Sequence, residues 1–207
     1  MPLRPVLTAL FLTISFALPA HASGFPVVPS VFPPHDLHKA ATVSQAPKLS
    51  DPGRYLTNTE TRTFTGSITG FRAFLDRNPI TDFVVPTDAI PAIEDITYLS
   101  GTWPQVGSVR RVHLAGGHSV LERVLTNTKD RFSYQIWDIT APAGRVISYI
   151  MGEFRYAQDG NRVTVTWDYN IKPNLFLARP AINRFLKNDF SPFMEAGLSG
   201  VVAAYTD

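Results

Sequence analysis

Apolar and polar positions alternate along much of the chain beyond residue 107. Ser108–Leu114, Ser119–Thr126, Arg131–Ile139, Arg145–Ala157 and Arg162–Ile171 each read with the two-residue period of a strand. The links between them are short: Gly116-Gly117, Asn127–Asp130, a turn at Pro142 and Gly144, and Asp159-Gly160-Asn161. Links of that length join antiparallel neighbours, so the five runs predict a meander. The last run alternates most cleanly. Val163, Val165, Trp167, Tyr169 and Ile171 fall on one face, and Arg162, Thr164, Thr166, Asp168 and Asn170 on the other. That pattern predicts one buried and one wetted face.

The chain end changes period. Ile182, Phe185, Leu186, Phe190, Phe193, Met194, Leu198, Val201, Val202 and Tyr205 recur at helical spacing. Pro180 suits a helix start, and Pro192 predicts a kink or break in the middle. Upstream of the meander, Thr61–Ile68 reads as a strand and Phe71–Arg77 as a short helix stopped by Asn78-Pro79. Asp88–Tyr98 reads as a second short helix, with Asp88 as N-cap and Pro91 in its first turn. A strand, two short helices, a long meander and a closing amphipathic helix define an α+β fold, its curved antiparallel sheet wrapped around the last helix.

Residues 1–22 have a different character. Arg4 is their only charged residue, an apolar run follows from Val6 to Leu18, and Ala20-His21-Ala22 has the small-x-small pattern of a cleavage site. These are the marks of a secretory signal peptide cut after Ala22, which predicts a periplasmic or secreted protein with no stable membrane insertion after cleavage. The apolar run is short for a bilayer crossing, and no second stretch could span one. Ser23–Gly53 holds six of the 17 prolines and no sustained period, so residues 23–53 read as an extended arm or linker before a domain at 54–207. His35 and His38 within it form an H-x-x-H pair that lacks the further ligands a metal site needs.

Composition narrows the chemistry. The absence of cysteine excludes disulfides, thiol nucleophiles, thiolate metal sites and a lipid-modified N-terminal Cys. Nineteen Lys and Arg nearly cancel 17 Asp and Glu, and Arg110-Arg111 is only a pair, so nucleic acid is not an expected partner. No phosphate loop, dinucleotide fingerprint, zinc-protease helix or calcium loop is present, so no cofactor and no metal are inferred. Gly117-His118-Ser119-Val120-Leu121 lacks the final glycine of a nucleophile elbow and falls in a hairpin, the wrong context.

Two charged residues stand out. By alternation Arg110 shares a face with Val112 and Leu114, and Glu122 shares one with Val120 and Val124. Both then point inward from neighbouring strands, where a charge is costly unless paired. The Arg110 fork matches a carboxylate, either that of Glu122 or that of a ligand, and Arg111 competes for the same role. The pair either braces a pocket or performs acid–base work; a third arrangement has Glu122 pointing outward into solvent. Tyr134, Tyr149, Trp167 and Tyr169 are assigned to inward strand faces, Phe185, Phe193 and Met194 lie along the closing helix, and Trp103 precedes Pro104 in a loop. These residues would line an apolar pocket, with the Tyr hydroxyls fixing a ligand's polar end.

From about residue 60 the chain resembles the SRPBCC superfamily of START-like and birch-pollen-allergen-like proteins, and within it the polyketide cyclase/dehydrase-type group. The likeness rests on Gly107-Ser108-Val109-Arg110, Leu121-Glu122-Arg123-Val124-Leu125, Ser133-Tyr134, Tyr149, and Val163-Thr164-Val165-Thr166-Trp167 leading to Pro173. It implies a helix-grip fold enclosing a hydrophobic cavity, and in enzymatic members an Arg and a Glu on corresponding strands are the proposed catalytic pair. On that footing Arg110 would orient an oxyanion and Glu122 would shuttle a proton. The leading expectation is an exported binding protein for a small hydrophobic molecule of lipid, polyketide or aromatic type. The alternatives are a cofactor-independent cyclase, isomerase or dehydratase, and a protein-interaction module with a filled core and no ligand.

Overall fold

A computed structural model describes residues 43–87 and 89–206. The contacts divide the chain into Met1–Ser44 and Gln45–Asp207, and all the regular structure described lies in the second unit. The signal peptide expected at 1–22, the His35/His38 pair and the expected cap residue Asp88 lie outside the described residues.

Seven strands form one antiparallel sheet in the order β1-β7-β6-β5-β4-β3-β2. They are β1 (Leu56–Thr65), β2 (Ile93–Ser100), β3 (Val109–Leu114), β4 (His118–Asn127), β5 (Arg131–Trp137), β6 (Ile147–Asp159) and β7 (Arg162–Pro173). The meander from β3 to β7 follows the alternation read from the sequence. Gly116 and Gly117 make the β3–β4 turn with φ of +81° and +74°, a conformation that side-chain-bearing residues adopt at a cost.

β2 corrects the expectation of a helix over Asp88–Tyr98. Ile90, Ile93 and Ile96 have helix-like spacing, but Ile96 pairs with Val112 and Tyr98 with Arg110, with register shifts between Ile93 and Asp95 and between Tyr98 and Ser100. The segment satisfies the otherwise open edge of β3, and tertiary pairing overrides the local period.

Helices cover one face of the sheet. α1 (Ile68–Leu75) starts at Ser67, whose hydroxyl accepts from the Gly70 amide at 3.0 Å. At the chain end α2 (Arg179–Phe185) runs through a π-turn at Leu186–Phe190 into α3 (Ser191–Thr206). Pro192 sits in the first turn of α3, directly after the π-turn. The expected kink therefore takes the form of a wider turn that accommodates the missing N–H and the ring. α3 grips edge strand β1 through polar contacts: Arg62 Nε donates to Ser199 Oγ at 3.0 Å and Ser191 Oγ donates to Glu60 at 2.6 Å. The apolar core lies between, with Val163, Val165, Met194, Leu198 and Val201 fully enclosed.

The opposite face is covered as well. Gln45–Tyr55 lies across it as a strap over Leu121, Trp137 and Tyr149, with Ala46 and Tyr55 packed against them. Fully buried Gln135 donates from Nε2 to the Pro47 carbonyl at 2.9 Å, and the Ser50 amide donates to the Tyr149 hydroxyl at 2.7 Å. The second unit begins at Gln45, so Gln45–Gly53, read from the sequence as part of the arm, packs on the sheet. The reason is local: the strap covers the apolar Leu121, Trp137 and Tyr149 on the outer face, and Gln135 among them donates to a carbonyl of the proline-rich segment.

Candidate functional site

The cavity lies between the inner face of β4–β7, α1 and α3, with a volume of about 160 Å³. Its floor is Tyr134, Phe154, Tyr156 and Val165 of the sheet, and Leu198 and Val201 of α3 close its back. Its mouth is formed by α1 with Arg72, Leu75 and Asp76, by the Pro79–Thr81 segment, and by the Trp103-Pro104 loop.

Arg110 and Glu122 meet inside this cavity as direct cross-strand partners on β3 and β4. Arg110 Nε and one terminal nitrogen both lie 2.7 Å from Glu122 Oε2, and the two side chains are 12% and 10% exposed. The guanidinium carbon sits 3.8 Å from the centroid of the Trp103 ring. Arg110 is therefore held twice, by charge-assisted bonds in its plane and by an aromatic face above it. Among the described residues no protein donor bonds Glu122 Oε1. Arg111 points to the outer face, where it bonds Ser119 Oγ at 3.0 Å.

Tyr134 lies flat over β6 because its cross-strand partner is Gly152. A Cβ there would stand 2.2 Å from Tyr134 Cζ, so only glycine leaves room for the ring. Burial and the neighbouring Glu122 carboxylate push the Tyr134 phenol well above its usual range, with Trp167 and Arg110 opposing. Tyr169 is pushed up by burial and then by Tyr134 and Glu122.

Arg72 roofs the opposite end. Its guanidinium carbon is 5.1 Å from the Tyr156 ring centroid and 6.0 Å from that of Phe132. It donates to the Thr128 carbonyl at 3.0 Å and to Asn127 Oδ1, while Asn127 Nδ2 donates to the Pro104 carbonyl at 2.9 Å. One asparagine thus ties both lips of the mouth together.

Of the residues expected to line a pocket, Trp103 and Tyr134 do so together with Arg110 and Glu122. Trp167, Tyr169, Phe185, Phe193 and Met194 pack in the core beside it instead. Trp167 stacks on Phe154 at 4.9 Å, Tyr169 packs on Phe190 at 4.3 Å, and Phe190 bridges Phe185 and Phe193. Met194 is fully enclosed, its sulfur 3.3 Å from Asn58 Nδ2. Tyr149 faces the other way, a correction to its expected inward position. A register shift between Ile147 and Tyr149 leaves the even-numbered residues of β6 inward, so the Tyr149 hydroxyl meets Tyr55 at 2.9 Å under the strap. Sequence reasoning missed Phe71, Arg72, Phe132, Phe154 and Tyr156. Phe132 shares Tyr134's alternation, and Phe154 and Tyr156 share that of Gly152, so the strand members carried a signal.

The chain belongs to the family described as polyketide cyclase/dehydrase and lipid transport, whose model matches residues 80–206. Solved structures share the fold. The ZhuI aromatase/cyclase from Streptomyces sp. R1128 is 17% identical, with 73% of this chain and 94% of that one covered, at a TM-score of 0.54. Ara h 8.0201 is 12% identical, covering 72% and 98%, at 0.52. An uncharacterised protein from Bacillus thuringiensis is 18% identical, covering 73% and 100%, at 0.51. No curated protein matches the chain. The helix-grip architecture expected from the sequence is thus the architecture observed. Among the described residues no group of three or more metal-ligating side chains occurs, and no helix is long and apolar enough to cross a membrane.

Proposed function

We propose that the protein is an exported binder of one small, largely apolar molecule, seated over Tyr134 and Phe154 and held at its polar end by Arg110–Glu122. The observation that carries this reading is how that pair bonds. Both Arg110 contacts fall on Glu122 Oε2, so a residue that lines the cavity keeps Oε1 as an acceptor for a ligand hydroxyl or phenol. The cavity volume of about 160 Å³ suits a ligand of one or two small rings, given that a dry cavity of roughly 150 Å³ holds benzene. The family description and the likeness to an aromatase/cyclase support an aromatic, polyketide or lipid-like ligand. Export rests on the pattern of residues 1–22.

A second reading, cofactor-independent cyclisation, isomerisation or dehydration, draws on the same oxygen. A carboxylate facing the ligand can take a proton from it, and Arg110 can stabilise an oxyanion. Binding is favoured because the Arg110 Nε and one terminal nitrogen are already engaged by Glu122 Oε2, which leaves fewer of its donors for a developing oxyanion. A pure interaction module is disfavoured by the cavity itself, since that reading required a filled core.

Extraction and mass spectrometry of protein purified under native conditions, wild type beside Glu122→Gln, tests the choice. Binding predicts the same unmodified compound in both, with lower occupancy in the variant. A different species trapped by the variant would establish chemistry instead, and an empty cavity in both would contradict the binding reading.

A further inference from the structure

The connection between β7 and α2 carries Leu175, Phe176 and Leu177, which are 57%, 83% and 90% exposed. Phe176 and Leu177 are the most exposed large apolar side chains of the described residues. The segment is firmly held. The Asn174 amide donates to the Val146 carbonyl at 3.0 Å, Asn174 Nδ2 donates to the Arg145 carbonyl at 2.8 Å, and the Ala178 amide closes a turn on the Leu175 carbonyl at 3.1 Å. Three apolar side chains are thus presented outward on a fixed turn.

Charge along the chain on either side of the turn has one sign. From Tyr169 to Asn188 the sequence has no Asp or Glu and carries Lys172, Arg179, Arg184 and Lys187. Arg145, whose carbonyl holds Asn174, adds a fifth cation, and Ile139–Gly152 likewise contains no acid. Among the described residues none of these five cations forms an ion pair, whereas Arg62, Arg110, Arg111, Arg131 and Arg155 all do. An exposed apolar turn flanked along the chain by cations outside any ion pair matches the boundary of an anionic bilayer, which accepts apolar side chains among the acyl chains and draws cations to its phosphates. A second copy of the chain is a poorer fit. A stable dimer buries about 800 Å² on each partner, and three side chains on a turn fall well short of that.

We propose that the Leu175-Phe176-Leu177 turn is a peripheral membrane-docking site that seats the protein reversibly on an anionic lipid surface. The turn follows the C-terminal end of β7, whereas the cavity lies at the Arg162 end, lined by Val165 and Tyr156. Docking therefore requires no ligand in the cavity and does not rest on the function proposed above.

Vesicle flotation of the full protein tests this, using pure phosphatidylcholine vesicles and vesicles with one third phosphatidylglycerol. Wild type is expected to float with the anionic vesicles, to float about tenfold less with the neutral ones, and to be released at about 0.5 M salt. The double variant Phe176→Ser/Leu177→Ser should lose the anionic binding about tenfold, while Val106→Ser, an exposed apolar site elsewhere, should keep it. Unchanged far-ultraviolet dichroism of the double variant is expected because both side chains are exposed, and this separates lost docking from lost folding. Equal flotation of wild type and double variant would overturn the proposal. So would failure of wild type to float with either vesicle, or sedimentation showing a dimer that the double variant dissolves.

Discussion

Arg110 lies against Trp103 with 3.8 Å between the guanidinium carbon and the ring centroid, and from that position both of its bonds reach a single oxygen of Glu122. The aromatic face immobilises the cation, the cation satisfies a carboxylate that would otherwise be unpaired at the wall of an apolar cavity, and the second carboxylate oxygen remains available. Arg110→Met should cost about 3 kcal/mol in urea unfolding at neutral pH, because it strands Glu122. Adding Glu122→Leu should recover most of that loss. A single variant as stable as wild type would mean that Arg110 does not carry the charge balance of the cavity.

Gly152 sets where Tyr134 lies. Gly152→Ala puts a methyl group 2.2 Å from Tyr134 Cζ, so the ring must swing off β6 into the cavity. The variant should lose roughly 2 kcal/mol of stability and most of its ligand affinity, the cost of overpacking a close-packed site. In a Tyr134→Ala background, where the ring is gone, Gly152→Ala should cost little further stability, and a double-mutant cycle of the two measures the coupling directly. Additive effects would contradict the clash.

Tyr149 serves the strap rather than the cavity. Tyr149→Phe removes the hydroxyl shared by Tyr55 and the Ser50 amide and should cost about 1–2 kcal/mol while leaving ligand affinity unchanged. Reduced affinity with intact stability would return Tyr149 to the binding site.

How much of this was legible follows from period and pairing. Arg110 and Glu122 were readable as inward neighbours because β3 and β4 alternate strictly on either side of a two-glycine turn. The β6 residues were harder to assign, since that strand is buried on both faces, by core on one side and by the strap on the other, so hydrophobicity alone does not tell which residue points where. β2 departs from its helix-like spacing because its edge position lets pairing with β3 override the local period. Arg72 could not have been found by pattern. It reaches the cavity only because α1 crosses above the β4–β5 turn and Asn127 receives it there.

Alkaline pH should weaken the fold through its tyrosines. Tyr55 is pushed up to about 12 by burial and by its bond with Tyr149, and Tyr134, Tyr156 and Tyr169 are raised chiefly by burial. A raised folded pKa means that the native state prefers the neutral phenol. Stability from these groups is complete below pH 10, the ordinary value, and falls as pH rises through it, because the unfolded chain then ionises first. Denaturant midpoints should therefore hold up to about pH 10 and drop above it, with a shallower fall in Tyr134→Phe. A midpoint that stays flat well above pH 10 would contradict the burial of these phenols.

A ligand seated over Tyr134 and Phe154 is displaced most directly by filling that space. Val201→Phe projects a ring from α3 into the cavity that Val201 lines. Calorimetric titration with the compound extracted from wild type, or with a naphthalene sulfonate probe, should show affinity falling by at least about tenfold in Val201→Phe while the thermal midpoint moves by only a few degrees. Wild-type affinity in a folded Val201→Phe variant would show that the ligand binds somewhere else.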